Sequence, residues 1–386
     1  MKYNFTQIID RKNTYSIKHN HTRSGVPEDA IPLWVADMDI QTPPCVIEAL
    51  QKQVSHGIFG YSEPDERYFE VVMDWFRRRF SWRTQKEWIV LSPGVVTAIH
   101  IAIEALTNPG DGVLIQEPVY NPFAESVNLT RRTLQINELV YSDGRYTIDF
   151  DDFEEKAKHS KLFILCNPHN HVGRVWTLEE LSKIGEICLR HGLMVISDEI
   201  HQDFVFPNHK HTVFSEINPD LAERTITCTA PSKTFNLAGL LLSNIFITNE
   251  KLRKKYKAKY SEYGLSQNGV MGIVACKAAY EQGEKWANEL VNHINGNMRL
   301  IDKLLSEKIP QISLVNPEGT YIAWLDCKKL GFSDDQLDSF MRNKAKLWLV
   351  RGTNFGKSGT GFMRLNTACS DAVIKKALLQ LETALK

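Results

Sequence analysis

Between about residues 87 and 250, short apolar runs alternate with helical patterns, and this alternation constrains the chain more than any other feature. EWIVLSP (87–93) leads into VVTAIHIAIEALT, and DGVLIQEP (111–118) follows. KLFILCNP (161–168) precedes TLEELSKIGEICLRHG, where Thr177 and Glu180 form a T-x-x-E capping pattern at a helix start. LMVISDEI (193–200), RTITCTAP (224–231) and LLSNIFITN (241–249) complete the series. Several runs are apolar throughout, as in strands covered on both faces. The pattern therefore predicts an α/β fold with a mostly parallel sheet.

After Glu250 the pattern changes. A helix-rich stretch runs to about residue 308, followed by ISLVN, TYIAWLDC, a helix opening S-x-x-Q at Ser333, LWLVRG, GFMRLN and a last amphipathic helix, AVIKKALLQLETAL. These read as a smaller α+β unit. Residues 1–45 carry turn signals at Ser24-Gly25, Pro27, Pro32 and Pro43-Pro44 and are expected to join it. The expected division is a large domain over 46–285 and a small domain made of 1–45 plus 286–386.

Composition narrows the function. The 386 residues hold 46 Lys+Arg and 46 Asp+Glu, a net charge of 0, which argues against a nucleic-acid or anionic-membrane binder. No apolar run approaches the ~20 residues of a membrane span, and the N-terminus lacks a secretory pattern. Seven scattered cysteines, never in a CxxC pair, fit a reducing cytoplasm better than a disulfide framework or a zinc ribbon.

In a sheet of this kind, ligands bind beyond the carboxyl ends of the strands. Ser92-Pro-Gly94-Val95-Val96-Thr97 follows one strand and opens a helix. Tyr120 follows the next, Asn167 and Asn170 the third, Asp198 and His201 the fourth, and Lys233 the fifth. Taken singly, Asp198 reads as a helix cap, Lys233 as a solvated loop charge and Tyr120 as a core aromatic. Their placement at one sheet edge points elsewhere, because together they meet the needs of pyridoxal 5′-phosphate (PLP). Its aldehyde needs a lysine amine, and its pyridine nitrogen a carboxylate that keeps it protonated. Its phosphate suits helix N-terminal amides at Val95 and Val96, and its ring suits an aromatic such as Tyr120. An amino-acid substrate further needs a fork for its carboxylate, which Arg364 in GFMRLN offers.

The order Asn170, Asp198, Lys233, Arg364, at separations of 28, 35 and 131 positions, resembles fold-type I PLP-dependent enzymes of the aspartate-aminotransferase-like group. WVADMD (34–39), PHNHVGRVW (168–176), DEIHQD (198–203) and APSKTFNLAGL (230–240) resemble the bacterial cystathionine β-lyase, or cysteine-S-conjugate C–S lyase, branch. The likeness covers essentially the whole chain. It implies a large domain built on a mostly parallel sheet and a smaller α+β domain. Lys233 would hold the cofactor and move the Cα proton, with Asp198 on the ring nitrogen, Asn170 on the ring's phenolic oxygen and Tyr120 stacked on the ring. Val95, Val96 and Ser232 would hold the phosphate, and His201 would also belong to the cofactor site. Tyr61, in GYSEPDERY, would reach the active site of a neighbouring subunit, which implies a homodimer. Arg364 would bind the substrate carboxylate beside the Ala36 backbone. The implied activity is β-elimination of sulfur-substituted L-amino acids to thiol, pyruvate and ammonia, with L-amino-acid transamination as the alternative.

The chain departs from the aminotransferase pattern in three places. His201 stands where a tyrosine is usual, as in the lyase branch, and Leu241 stands where a phosphate-binding arginine is usual. His171 follows Asn170 where a proline is usual.

Three rival readings are weaker. Gly352-Thr-Asn-Phe-Gly356-Lys357-Ser358 has three residues between its glycines, where a P-loop needs four. Its glycines are expected to shape the backbone approaching Arg364. The histidines at 169, 171, 201, 209 and 211 are scattered loop residues, which are more often solvated or hydrogen-bonded than ligands; Asp198 and Asp203 could add a carboxylate, but no metal is expected. KLRKKYKAK (251–259) and FRRRF (76–80) read as solvated helix faces rather than nucleic-acid contacts.

Overall fold

The computed structural model describes residues 3–20 and 26–386. The Ser24-Gly25 turn signal lies outside the described residues. Seven strands form the main sheet: β1 (Ile89–Ser92), β2 (Gly112–Glu117), β3 (Thr133–Glu138), β4 (Leu162–Cys166), β5 (Met194–Asp198), β6 (Thr225–Thr229) and β7 (Ser243–Ile247). Their spatial order is β1-β7-β6-β5-β4-β2-β3. The pairs β6–β5, β5–β4, β4–β2 and β2–β3 are parallel, whereas β7 runs antiparallel to both β6 and β1. Strand β1 therefore points the same way as β6. The carboxyl ends of β1, β2, β4, β5 and β6 consequently lie along one edge.

Each of the six apolar runs became a strand of this sheet. The fully buried sequences of β1, β4, β6 and β7 fit strands covered on both faces. One face packs on helices Val95–Leu106 and Glu250–Glu262, and the other on helices Phe150–Lys158 and Leu178–Arg190. The capping box forms as read: Glu180 N donates to Thr177 Oγ1 (3.1 Å) and Thr177 N to Glu180 Oε2 (2.8 Å). Edge strand β3 was not anticipated. Its sequence, TLQINE, is mostly polar, and its pairing is supported by a buried Gln116–Asn137 side-chain bond (3.1 Å).

The C-terminal part forms an antiparallel sheet of β8 (Ser313–Leu314), β9 (Ile322–Asp326), β10 (Val350–Arg351) and β11 (Phe362–Asn366), in the order β8-β9-β11-β10. The N-terminal segment packs against this part. Ile31–Pro32 pairs with Leu347–Trp348, Phe5 lies edge-on to Trp286, and Ser370 Oγ donates to the Thr6 carbonyl (2.8 Å). One continuous apolar core joins Phe5 and Leu33 to helices Glu66–Phe80, Val270–Gln282, Glu284–Lys308 and Asp371–Leu385. That core seats residues 34–40 across the carboxyl edge of the main sheet.

Candidate active site

A cavity of about 510 Å³ opens at this edge, between the five strand ends, residues 35–36 and β11. Lys233, Asp198, Asn170, His201, Tyr120, Val95, Val96, Ser232, Arg364 and Ala36 all line it. Tyr61 does not. It stands 95% exposed on the loop after helix Pro44–His56, with Ile58 and Phe59 also exposed.

The helix Val95–Leu106 starts at Gly94 with no side chain capping its first turn. A Cβ built on Gly94 would meet nothing within 4 Å, so the backbone here borders open space. Free first-turn amides beside such space suit an anion. Leu241, exposed at the rim, brings no positive charge to this end.

Asp198, at the end of β5, accepts from Ile200 N (3.1 Å). Burial pushes its carboxyl up to about 7, with Glu199 adding to the effect and Lys233 opposing it. A carboxyl desolvated this far is short of a cationic donor. His201 is buried and neither ring nitrogen has a hydrogen-bond partner among the described residues, while burial and then Lys233 hold it well below the usual histidine range. Asn170 Oδ1 accepts from the backbone N–H of His171 (2.9 Å). An N–H can only donate, so this contact fixes which way the amide faces and leaves the Nδ2 hydrogens for the cavity.

Lys233 Nζ donates to the Ala36 carbonyl (2.7 Å). Burial, and then the Arg364 charge, lowers its amine to about 8 against the pull of Asp37 and Asp198. Near neutral pH it therefore has a usable neutral fraction, as a nucleophile or base requires. Arg364, in the middle of β11, is buried above the Phe355 ring (4.8 Å), and burial brings it down to about 10. Nη1 meets His171 Nε2 (3.0 Å) and Nη2 donates to the Trp34 carbonyl, while Nε has no partner among the described residues.

The segment carrying Ala36 is tied down from several sides. Asn366 Nδ2 donates to the Val35 (2.6 Å) and Asp37 (2.5 Å) carbonyls, and Tyr321 Oη to the Ala36 carbonyl (3.0 Å). Arg11 and the fully buried Lys18 reach Asp39, each at 2.7 Å. Tyr321, Asn366 and Trp34 escaped the sequence reading because they act on or through backbone carbonyls, which leave no mark in residue type.

The groups present fit PLP on three counts. They offer a helix N-terminus without a side-chain cap for phosphate, a buried carboxyl at the cavity, and a buried histidine and arginine with nitrogens unpartnered among the described residues, all lining the same space. Among the described residues, no group of three or more His, Cys, Asp or Glu converges as a metal site.

A lysine of lowered basicity beside a buried carboxyl, at the carboxyl edge of an open α/β sheet, marks an enzyme rather than a binding module. The chain belongs to the aminotransferase class I and II family, whose model matches residues 28–381. It is 43% identical to cystathionine beta-lyase PatB of Bacillus subtilis, over 99% of this chain and 100% of that protein. Among solved structures it resembles cystalysin of Treponema denticola, which contains a pyridoxal 5′-phosphate cofactor (TM-score 0.97, 39% identity, 100% and 99% of the two chains). It also resembles the PLP-bound C–S lyase of Staphylococcus hominis (TM-score 0.93, 32% identity, 100% and 98% of the two chains).

Proposed function

We propose that this chain is a PLP-dependent carbon–sulfur β-lyase that converts L-cystathionine or a related cysteine S-conjugate to thiol, pyruvate and ammonia. The observation that carries the reading is the single cavity holding Lys233, Asp198, Asn170, His201 and Arg364 together. The full-length likeness to a cystathionine beta-lyase supports it.

Bound PLP supplies an electron sink for the pair left when the substrate Cα–H bond breaks. Lys233 would hold the cofactor through its amine, and the same Nζ would take the substrate Cα proton. The Ala36 carbonyl accepts from that nitrogen and keeps it aimed at the cavity. Asp198 would keep a proton at the ring nitrogen, and Asn170 Nδ2 would donate to the phenolic oxygen. Tyr120 would back the ring, and the amides of Val95 and Val96 with Ser232 would hold the phosphate. His201 would present its imidazole to the cofactor. Arg364 orients the α-carboxylate next to Ala36.

The same reading makes the protein a homodimer in which Tyr61 reaches the active site of the neighbouring subunit. Exposed Ile58, Phe59 and Tyr61 on one loop support this, as an apolar loop suits burial against a second copy. We also assign residues 46–285 to a large domain and 1–45 plus 286–386 to a small one, and place the protein in the cytoplasm. Seven free thiols fit that compartment.

Lys233→Ala tests the site. Its purified form is expected to lack the visible absorbance of attached cofactor and to release no thiol. Normal thiol release from Lys233→Ala would contradict the assignment.

A further inference from the structure

His171 is fully buried, and it touches the arginine assigned to the substrate carboxylate. Its φ of 83° lies in the left-handed region, which disfavours any residue but glycine and is closed to proline. Two side-chain hydrogen bonds accompany this backbone. Nδ1 lies 2.8 Å from the Asn170 carbonyl oxygen, which only accepts, so Nδ1 carries the proton. Nε2 lies 3.0 Å from Arg364 Nη1, which only donates, so Nε2 presents its lone pair. One neutral tautomer satisfies both contacts.

The ring is clamped between groups that also hold Arg364. Phe355 lies 3.9 Å from the His171 ring, centroid to centroid, and 4.8 Å below the guanidinium. Trp324 meets the imidazole edge-on at 6.0 Å. With Nη1 held by His171 and Nη2 by the Trp34 carbonyl, the guanidinium plane is fixed. Nε and one N–H on each terminal nitrogen remain for a ligand. An apolar side chain at 171 would fill the space but leave Nη1 without this acceptor inside a buried pocket. Burial, and then the Arg364 charge, keeps the imidazole well below the usual histidine range, in keeping with an acceptor.

We propose that His171 is a positioning residue for carboxylate binding: its Nε2 accepts from Arg364 and sets the angle of the fork that receives the substrate α-carboxylate. This rests on the assignment of Arg364 made above. His171→Gln and His171→Met provide the test, because the two side chains are close in shape but only Gln carries an amide acceptor. In each holoenzyme, L-alanine and ethylamine are titrated by the change in cofactor absorbance. Both have the amine, but only L-alanine has a carboxylate. His171→Met is expected to bind L-alanine about ten-fold more weakly than the wild type, with His171→Gln within about three-fold of it. Ethylamine affinity is expected to be the same in all three proteins. Equal L-alanine affinity in the Gln and Met variants would overturn the proposal, as would a parallel loss for ethylamine. Should His171→Met fail to fold, His171→Phe, which keeps the ring packing without the acceptor, takes its place. Wild-type protein that does not prefer L-alanine over ethylamine would overturn the Arg364 assignment itself, and this proposal with it.

Discussion

At Asp198, burial lifts the carboxyl to about 7, well above its ordinary range near 4, and this residue gives the site its sharpest pH signature. Between those values the cofactor-free folded chain binds a proton that the unfolded chain has released. Its stability should therefore fall as pH rises through that window. Asp198→Asn removes the penalty, so at pH 8 the cofactor-free variant should melt about 1–3 °C above the cofactor-free wild type. The same change removes the proposed ring-nitrogen partner and should slow turnover about 100-fold or more. Turnover within a few-fold of wild type would mean that the carboxylate is wrongly assigned. Lys233, Asp198 and Asn170 stand at or just beyond strand ends and Arg364 lies within β11, and their order along the chain made all four legible as candidates for one cavity. Tyr321 on the Ala36 carbonyl and the Trp34 carbonyl on Arg364 were not, since these contacts join positions 285 and 330 residues apart. His171 was legible only as a departure, and its role appears once its ring is seen against Arg364.

Among the elements, the loop from Gly352 to Gly361 carries the floor of the proposed carboxylate site. Phe355 N donates to the Gly352 carbonyl (2.9 Å), which brings its ring beneath Arg364 and His171. The loop closes so tightly that a Cβ on Gly352 would fall 2.0 Å from the Gly359 carbonyl oxygen, a backbone atom that cannot swing away. Gly352→Ala should therefore destabilise the protein by roughly 2 kcal/mol and raise the substrate KM more than it lowers kcat, as thermal melts and steady-state kinetics would show. An unchanged melting temperature and KM would show that the loop is free to open. The six main-sheet strands visible as apolar runs share one physical cause, burial on both faces. Strand β3 is partly open to solvent, and the hairpin of Val140–Ser142 and Arg145–Thr147 lies outside the sheet. Neither is buried on both faces, so neither carries a continuous apolar run, which is why the sequence does not reveal them.

For the whole molecule, the apolar core sets the geometry that the chemistry uses. It holds the N-terminal segment against the C-terminal sheet and thereby brings Ala36 and Arg364 over the strand ends that carry Asp198 and Lys233. One part of the proposed site lies outside this chain's own cavity. If Tyr61 acts in the neighbouring subunit, the protein should sediment at twice its chain mass, and Tyr61→Ala should weaken PLP affinity about ten-fold without lowering the melting temperature of the cofactor-free protein. A fully active monomer at assay concentration would rule this out.

The cavity is proposed to perform β-elimination on a sulfur-substituted amino acid. The most direct measurement incubates the cofactor-loaded protein with L-cystathionine, without any keto acid, and follows pyruvate and free thiol together. Release of both in equal amounts is the predicted result. If neither appears while glutamate forms from an L-amino acid and 2-oxoglutarate, the fold and cofactor readings stand, the enzyme is an aminotransferase, and the lyase assignment is contradicted.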